Sequence, residues 1–148
     1  MSASDANAHR YCTFEVGGLM FGIQVDRVRE VVRNLRPTPV PLAPAGVVGL
    51  LNLRGQIVTA IDVRDRLHLS RQVEGREQVN VILKAGDELM SLVVDNEGQV
   101  IDLSAEEEED VPETINPAIR SLVEGAYQLD DELLLILNAD GIIALSAS

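Results

Sequence analysis

The run GVVGLLNLRGQIVTAIDVRDRL, Gly46 to Leu67, reads as two apolar strands hinged at Leu53-Arg54-Gly55-Gln56. Val47, Val48, Leu50, Leu51 and Leu53 lead into the hinge, and Ile57, Val58, Ala60 and Ile61 lead out of it. The apolar residues do not keep to every second position, so both faces of each strand are apolar. Such a strand is covered on both sides, by a second sheet or by another protein. Gly55 can take the positive φ of a tight hairpin, which presents Arg54 at a turn on an apolar platform.

Working outward, Cys12, Phe14 and Val16 alternate with Tyr11, Thr13 and Glu15, and Gly17-Gly18 is a two-residue hairpin signal. Leu19, Phe21, Ile23 and Val25 return on one face. Asp26 followed by Val28, Val31 and Val32 at i, i+3, i+4 spacing predicts a short helix over 27–32. Pro37, Pro39, Pro41 and Pro44 make an extended connector or edge, since proline fixes φ and removes a donor. Downstream, Asp62 is placed to cap a short helix through Leu67, and Ser70 to Gly75 reads as a polar loop. Strands are expected at Val79–Leu83, Leu89–Val94 and Gln99–Leu103, with a turn at Gly86-Asp87. Ser104-Ala-Glu-Glu107 fits a capping box, and Pro112 and Pro117 keep the next segment irregular. A last hairpin, Leu122–Leu129 with Glu132–Leu137, precedes a terminal helix capped by Asn138.

Gly49 to Asp62 and Gly125 to Asn138 echo one another in spacing, as do Gly18 to Asp26 and Asp87 to Asp95. A strand-rich chain with two similar halves predicts a mostly β fold of two small lobes packed together. The expected division is a disordered 1–10, lobe one at about 18–84, and lobe two at about 85–148, with strand 11–16 as a candidate to cross into it.

Composition narrows the function. Of 148 residues, 46% are hydrophobic but only two are Phe and two Tyr, so the core is aliphatic. The net charge of −12 argues against nucleic acid and against anionic lipid, both of which call for clustered Lys and Arg. Cys12 is alone, so it makes no internal disulfide. Residues 1–10 lack the apolar core of a signal peptide, and no apolar run approaches membrane-spanning length. A cytoplasmic address is expected. His9 and His68 stand in no metal-ligand pattern, Cys12 lies on a strand's apolar face, and no phosphate-cradling glycine motif or nucleophile elbow occurs. No enzyme activity, cofactor or metal is expected. Arg54 reads either as a packed arginine paired with a nearby carboxylate or as an interface contact.

The block Gly49-Leu-Leu-Asn52-Leu-Arg54-Gly55, with Asp62-Val-Arg64, resembles the signature of CheW-like domains. Phe21-Gly-Ile-Gln-Val-Asp-Arg-Val-Arg-Glu30-Val, Pro39-Val-Pro-Leu-Ala-Pro44 and Leu92-Val-Val-Asp95 match in the right order. The resemblance implies two five-stranded β-barrels sharing a third apolar core. It implies a non-catalytic chemotaxis adaptor that joins a methyl-accepting chemoreceptor's helical hairpin to the regulatory domain of a CheA-type histidine kinase, recruited to membrane-associated receptor arrays without inserting in the membrane. By motif match the receptor-facing set is Val28, Glu30, Asn52, Arg54, Gly55 and Ile57, and the kinase contact lies near Leu103 and Gly125. The alternatives are a kinase-ring scaffold without receptor contact, or a small-ligand or enzyme barrel.

Overall fold

The computed structural model describes residues 8–43, 46–69 and 78–146. Its strands are β1 (Ala8–Val16), β2 (Leu19–Gln24), β3 (Val28–Arg33), β4 (Val47–Leu53), β5 (Gln56–Asp62), β6 (Val79–Ala85), β7 (Glu88–Val94), β8 (Asn96–Ser104), β9 (Val123–Gln128) and β10 (Leu133–Leu137). Short helices α1 (Val63–Arg66) and α2 (Pro117–Arg120) lie between strands, and α3 (Ala139–Ser146) follows β10. The strands form two five-stranded sheets, ordered β3-β6-β7-β5-β4 in lobe one and β8-β1-β2-β10-β9 in lobe two. The mostly β, two-lobed expectation holds, although the recorded pairing leaves each sheet open at its edge strands.

Each sheet has two buried faces. Lobe one closes over Leu51, Leu53, Val58, Ala60, Ile82 and Val93. Lobe two closes over Tyr11, Tyr127, Leu134 and Ile136. The largest core lies between the lobes and takes Phe14, Val16, Phe21 and Ile23 from one sheet and Ile61, Val81, Leu83 and Leu92 from the other. Double burial belongs to the central strands β6 and β7. Around Arg54 burial alternates, with Leu51, Leu53, Val58 and Ala60 in the lobe-one core and Asn52 and Ile57 exposed, so the cover expected on both faces of β4 and β5 is missing at the hairpin.

The lobe boundary differs from the expected one. β2 belongs to the sheet of β1, and β7 stays with β6 and β5, so lobe one spans the β3 to β7 segment. The reason is the parallel pairing of distant strands: Leu135 beside Phe21, and Ile61 beside Leu92, which no local signal announces. Residues 8–10 are also strand, paired with Asp102–Ser104 of β8, where a disordered lead-in was expected. Residues 1–7 and the expected loop 70–75 fall outside the described residues.

The helix expected over 27–32 is absent. A single 3-10 turn, Val25–Arg27, leads into strand β3, whose residues pair with β6 as Val31 with Val81 and Val32 with Asn80. Three valines in six residues favour a pleated surface, and the waiting edge of β6 decides the matter. Asp62 does cap α1, its carboxylate accepting from the Asp65 N–H at 3.4 Å. Asn138 caps α3 through Gly141 N–H at 3.0 Å. The segment expected to stay irregular contains α2, with Pro117 in its first turn and Asn116 accepting from Ala118 N–H at 2.7 Å.

Candidate functional site

The β4–β5 hairpin closes in two residues, because Leu53 and Gln56 are paired across it. Arg54 and Gly55 both take positive φ, 52° and 89°. That is the pattern of the mirror-image turns whose twist matches a β-hairpin. Glycine adopts it freely, whereas arginine does so at a cost. Asn52 offsets part of that cost, its side-chain oxygen accepting the Gly55 N–H at 2.8 Å. Asn52 thus shapes the turn that displays its neighbour.

Arg54 is 67% exposed and reaches across the lobe to Glu30. Nη1 donates to Oε1 at 3.2 Å, and Nη2 donates to Oε2. Glu30 sits on β3 and Arg54 at the end of β4, the two edges of one sheet. The sheet is therefore curled far enough for its edges to be bracketed by one guanidinium–carboxylate pair. The hydrogen bonds from Arg54 hold the Glu30 carboxyl below the usual range, against a smaller opposing effect of burial, and the same pairing raises Arg54. Ile57, paired with Asn52 across the ladder, stands 61% exposed beside this bracket. Val28 is half-buried and packs against the inter-lobe core.

The structure thus brings Glu30, Asn52, Arg54, Gly55 and Ile57 onto one rim of lobe one, with Val28 two residues along β3 from Glu30. The two readings of Arg54 left open by the sequence are both present: it is paired with a carboxylate, and it is displayed to solvent. Around it are a fixed fork of donors, a carboxylate and an exposed isoleucine. They suit recognition of a surface with charge and apolar positions side by side, and they include no nucleophile with an activating base.

Leu103 and Gly125 lie on β8 and β9, the two edges of the lobe-two sheet. Leu103 packs against that lobe's own core, where Tyr11 and Tyr127 meet with ring centroids 5.8 Å apart. Gly125 is buried beneath the Glu108 side chain. Beside it, Glu109 pairs with Ala126 by two backbone hydrogen bonds of 2.7 and 3.0 Å and covers part of the β9 edge.

Sequence reasoning passed over two features. Asp95 closes a repeat and a matching block in the sequence, with no role assigned to it, yet it is buried and bonded to Arg64. The residues Asp62-Val-Arg64 and Leu92-Val-Val-Asp95 were each visible as blocks, but nothing local says that they meet. Nor does any local signal mark Ser91, which is buried in lobe one and donates to Asn80 at 2.9 Å, while Asn80 donates to the Leu35 carbonyl at 2.7 Å. A cleft of about 650 Å³ between the exit of α1 and α2, lined by His68, Leu69 and Ser121 among others, lies apart from the Arg54 hairpin. Among the described residues no three His, Cys, Asp or Glu side chains gather as a metal site. None of the described helices is long and apolar enough to cross a membrane.

Residues 10–147 match the family model described as a CheW-like domain. A chemotaxis protein CheW of Treponema pallidum is 30% identical over 130 residues, covering 85% of this chain and 76% of the relative. A chemotaxis protein CheW of Bacillus subtilis is 27% identical over 148 residues, covering 100% of this chain and 95% of the relative. Among solved structures, the scaffolding protein TtCheW from Thermoanaerobacter tengcongensis superposes with a TM-score of 0.77 at 26% identity, over 88% of both chains.

Proposed function

The chain belongs to the CheW-like domain family, and on that premise we propose that it is a non-catalytic adaptor coupling chemoreceptors to a CheA-type histidine kinase in chemotaxis signalling. The observation that carries the reading is the exposed Glu30–Arg54 bracket with Ile57 beside it, on a sheet buried on its other face. A receptor's cytoplasmic hairpin presents helices, and a helix offers apolar and charged positions at i, i+3, i+4 spacing. Ile57 supplies an apolar contact, while Arg54 and Glu30 fix register. Asn52 and Gly55 hold the turn, and Val28 ties the β3 edge to the inter-lobe core.

The kinase's regulatory domain docks on lobe two, at the β8 and β9 edges around Leu103 and Gly125. There the contact uses strand edges and exposed neighbours such as Val100, since Gly125 itself is covered by Glu108. The site of action is the cytoplasmic face of a receptor array. The test is co-sedimentation of the full chain with a receptor-tip fragment and a CheA-type kinase. All three should pellet together. A chain that pellets with the kinase but never with the receptor fragment would mark a ring scaffold instead.

A further inference from the structure

Resting on the adaptor reading, we propose that Arg64 and Asp95 are positioning residues: a buried latch that fixes how the two lobes face each other and so couples the docking hairpin to lobe two. The chain passes between the lobes at two places. It leaves lobe two through the turn Val25–Arg27, between β2 and β3, and returns at Asp95, between β7 and β8. Asp95 is therefore a link in the covalent connection itself.

Its carboxylate gathers partners from both sides. From α1 in lobe one, Arg64 Nε donates to Oδ1 at 3.0 Å and Nη2 donates to Oδ2 at 2.7 Å. From the β1–β2 turn in lobe two, the Gly17 N–H donates to Oδ2 at 2.8 Å. The Asp95 N–H in turn donates to the Glu15 carbonyl at 3.0 Å. The two side chains are 10% and 4% exposed. A forked cation on a carboxylate is directional, and here the same carboxylate also holds a backbone amide of the other lobe.

Buried ion pairs are poor sources of net stability, because desolvation offsets the attraction, and a packed apolar pair would hold the lobes as well. The forked pair adds a direction that a single apolar contact does not have. The pair thus orients lobes that the inter-lobe core already holds together. Its place along the chain gives that role a direction. Gly55 adjoins β5, β5 ends at Asp62, Asp62 caps α1, and α1 carries Arg64. A displacement of the hairpin reaches Arg64 through one strand and one capped turn. The other crossing, at Val25–Arg27, is bridged more loosely. Arg27 donates to the Lys84 carbonyl at 3.1 Å and pairs with Asp140 of α3 at 2.9 Å, where Asp140 is 83% exposed.

Residual dipolar couplings on the full chain test the latch. In the wild type one alignment tensor should fit both lobes; two tensors would overturn the proposal without any mutation. In Asp95→Asn, which keeps an acceptor for Gly17, each lobe should still fit its own coordinates while the pair needs separate tensors. One shared tensor in that folded variant would overturn the latch. Should Asp95→Asn fail to fold, the double variant Arg64→Met with Asp95→Asn removes both charges of the pair and gives the same reading. The functional arm measures receptor-fragment affinity with and without the kinase regulatory domain. The wild type should show a coupling of about fivefold or more. The double variant should bind each partner alone within about threefold and lose the coupling, an effect that lowered stability alone does not produce. Unchanged coupling in the double variant would overturn the positioning role. A wild type that binds neither partner overturns the adaptor reading and leaves the tensor result to judge the latch by itself.

Discussion

At Arg54 a backbone cost and a side-chain opportunity meet. An arginine at φ 52° is held there by the hairpin, by Asn52 and by Glu30, and its head remains in water. The charge reversal Arg54→Glu places two carboxylates at the lobe's rim. It should weaken receptor-fragment binding by at least about 30-fold, the loss expected of a hot-spot residue, while thermal melting stays cooperative. The swap Glu30→Arg with Arg54→Glu separates two roles. It rebuilds the pair, so a purely structural arginine would regain binding, and a contact arginine would not. Titration calorimetry on the three proteins reads the answer. Glu30 is depressed by Arg54, so the bracket is complete above the ordinary carboxylate value of about 4.3. It is lost only as pH falls through the lower folded value. Glu124 behaves in the opposite sense: burial, then repulsion from Glu108 and Asp140, raises its carboxyl. A carboxyl raised by folding binds more protons in the native state, so its stability cost appears as pH rises above about 4.3 and is complete above the folded value. Glu124→Gln should therefore raise the melting temperature at about pH 7 and leave it unchanged near pH 3.5. A gain of equal size at both would show that the charge is not the cause. The display of Arg54 was legible from Arg-Gly between two apolar runs. Its partner was not, because Glu30 lies 24 residues away on the opposite edge of the sheet and is brought there only by curl.

Elements with local turn chemistry were equally legible. Gly17-Gly18, Arg54-Gly55 and Gly86-Asp87 each close a two-residue hairpin, as their pairing shows. The β3 strand was misread because Val28, Val31 and Val32 satisfy a helical stripe and a strand equally well, and the arbiter, the edge of β6, is 50 residues downstream. Elements whose edges are protected carry a sharper test. Thr38, within the proline segment, exchanges two hydrogen bonds with Leu50, of 2.7 and 2.9 Å, and covers the β4 edge. A Cβ added at Gly49 would stand 2.2 Å from the Thr38 carbonyl oxygen, which cannot yield without breaking that bridge. Gly49→Ala should cost about 1–3 kcal/mol by urea denaturation, the range of overpacking. It should also speed amide exchange at Thr38. At Gly125 the atoms nearest an added Cβ belong to the flexible side chain of Glu108 and not to backbone, so Gly125→Ala should cost less than Gly49→Ala. The reverse order would mean that the Thr38 bridge does not hold the edge.

On the scale of the whole molecule, the order of the strands forbids the lobes from being independent. Lobe two begins with β1 and β2 but cannot be finished until β8, β9 and β10 arrive, so lobe one is inserted within it. The largest apolar core belongs to neither lobe, since Phe14 of β1 and Leu92 of β7 both line it at about 1% exposure or less. Sequence repeats suggested two halves divided near residue 84. They could not show the insertion, because the pairings that define it, β2 with β10 and β5 with β7, are parallel and distant. Two lobes that shared only a hinge would unfold separately, but two that share their largest core must lose it together. Phe14→Ala should cost about 3–5 kcal/mol and Leu92→Ala about 2–5 kcal/mol. In each case the slowest-exchanging amides of both sheets should lose protection by the same free energy. Protection that falls in one sheet while the other keeps its wild-type value would mean that the shared core is not the common cooperative unit. A latch at Asp95 would then have little to act through, for it is this core that makes a fixed angle between the lobes mechanically useful.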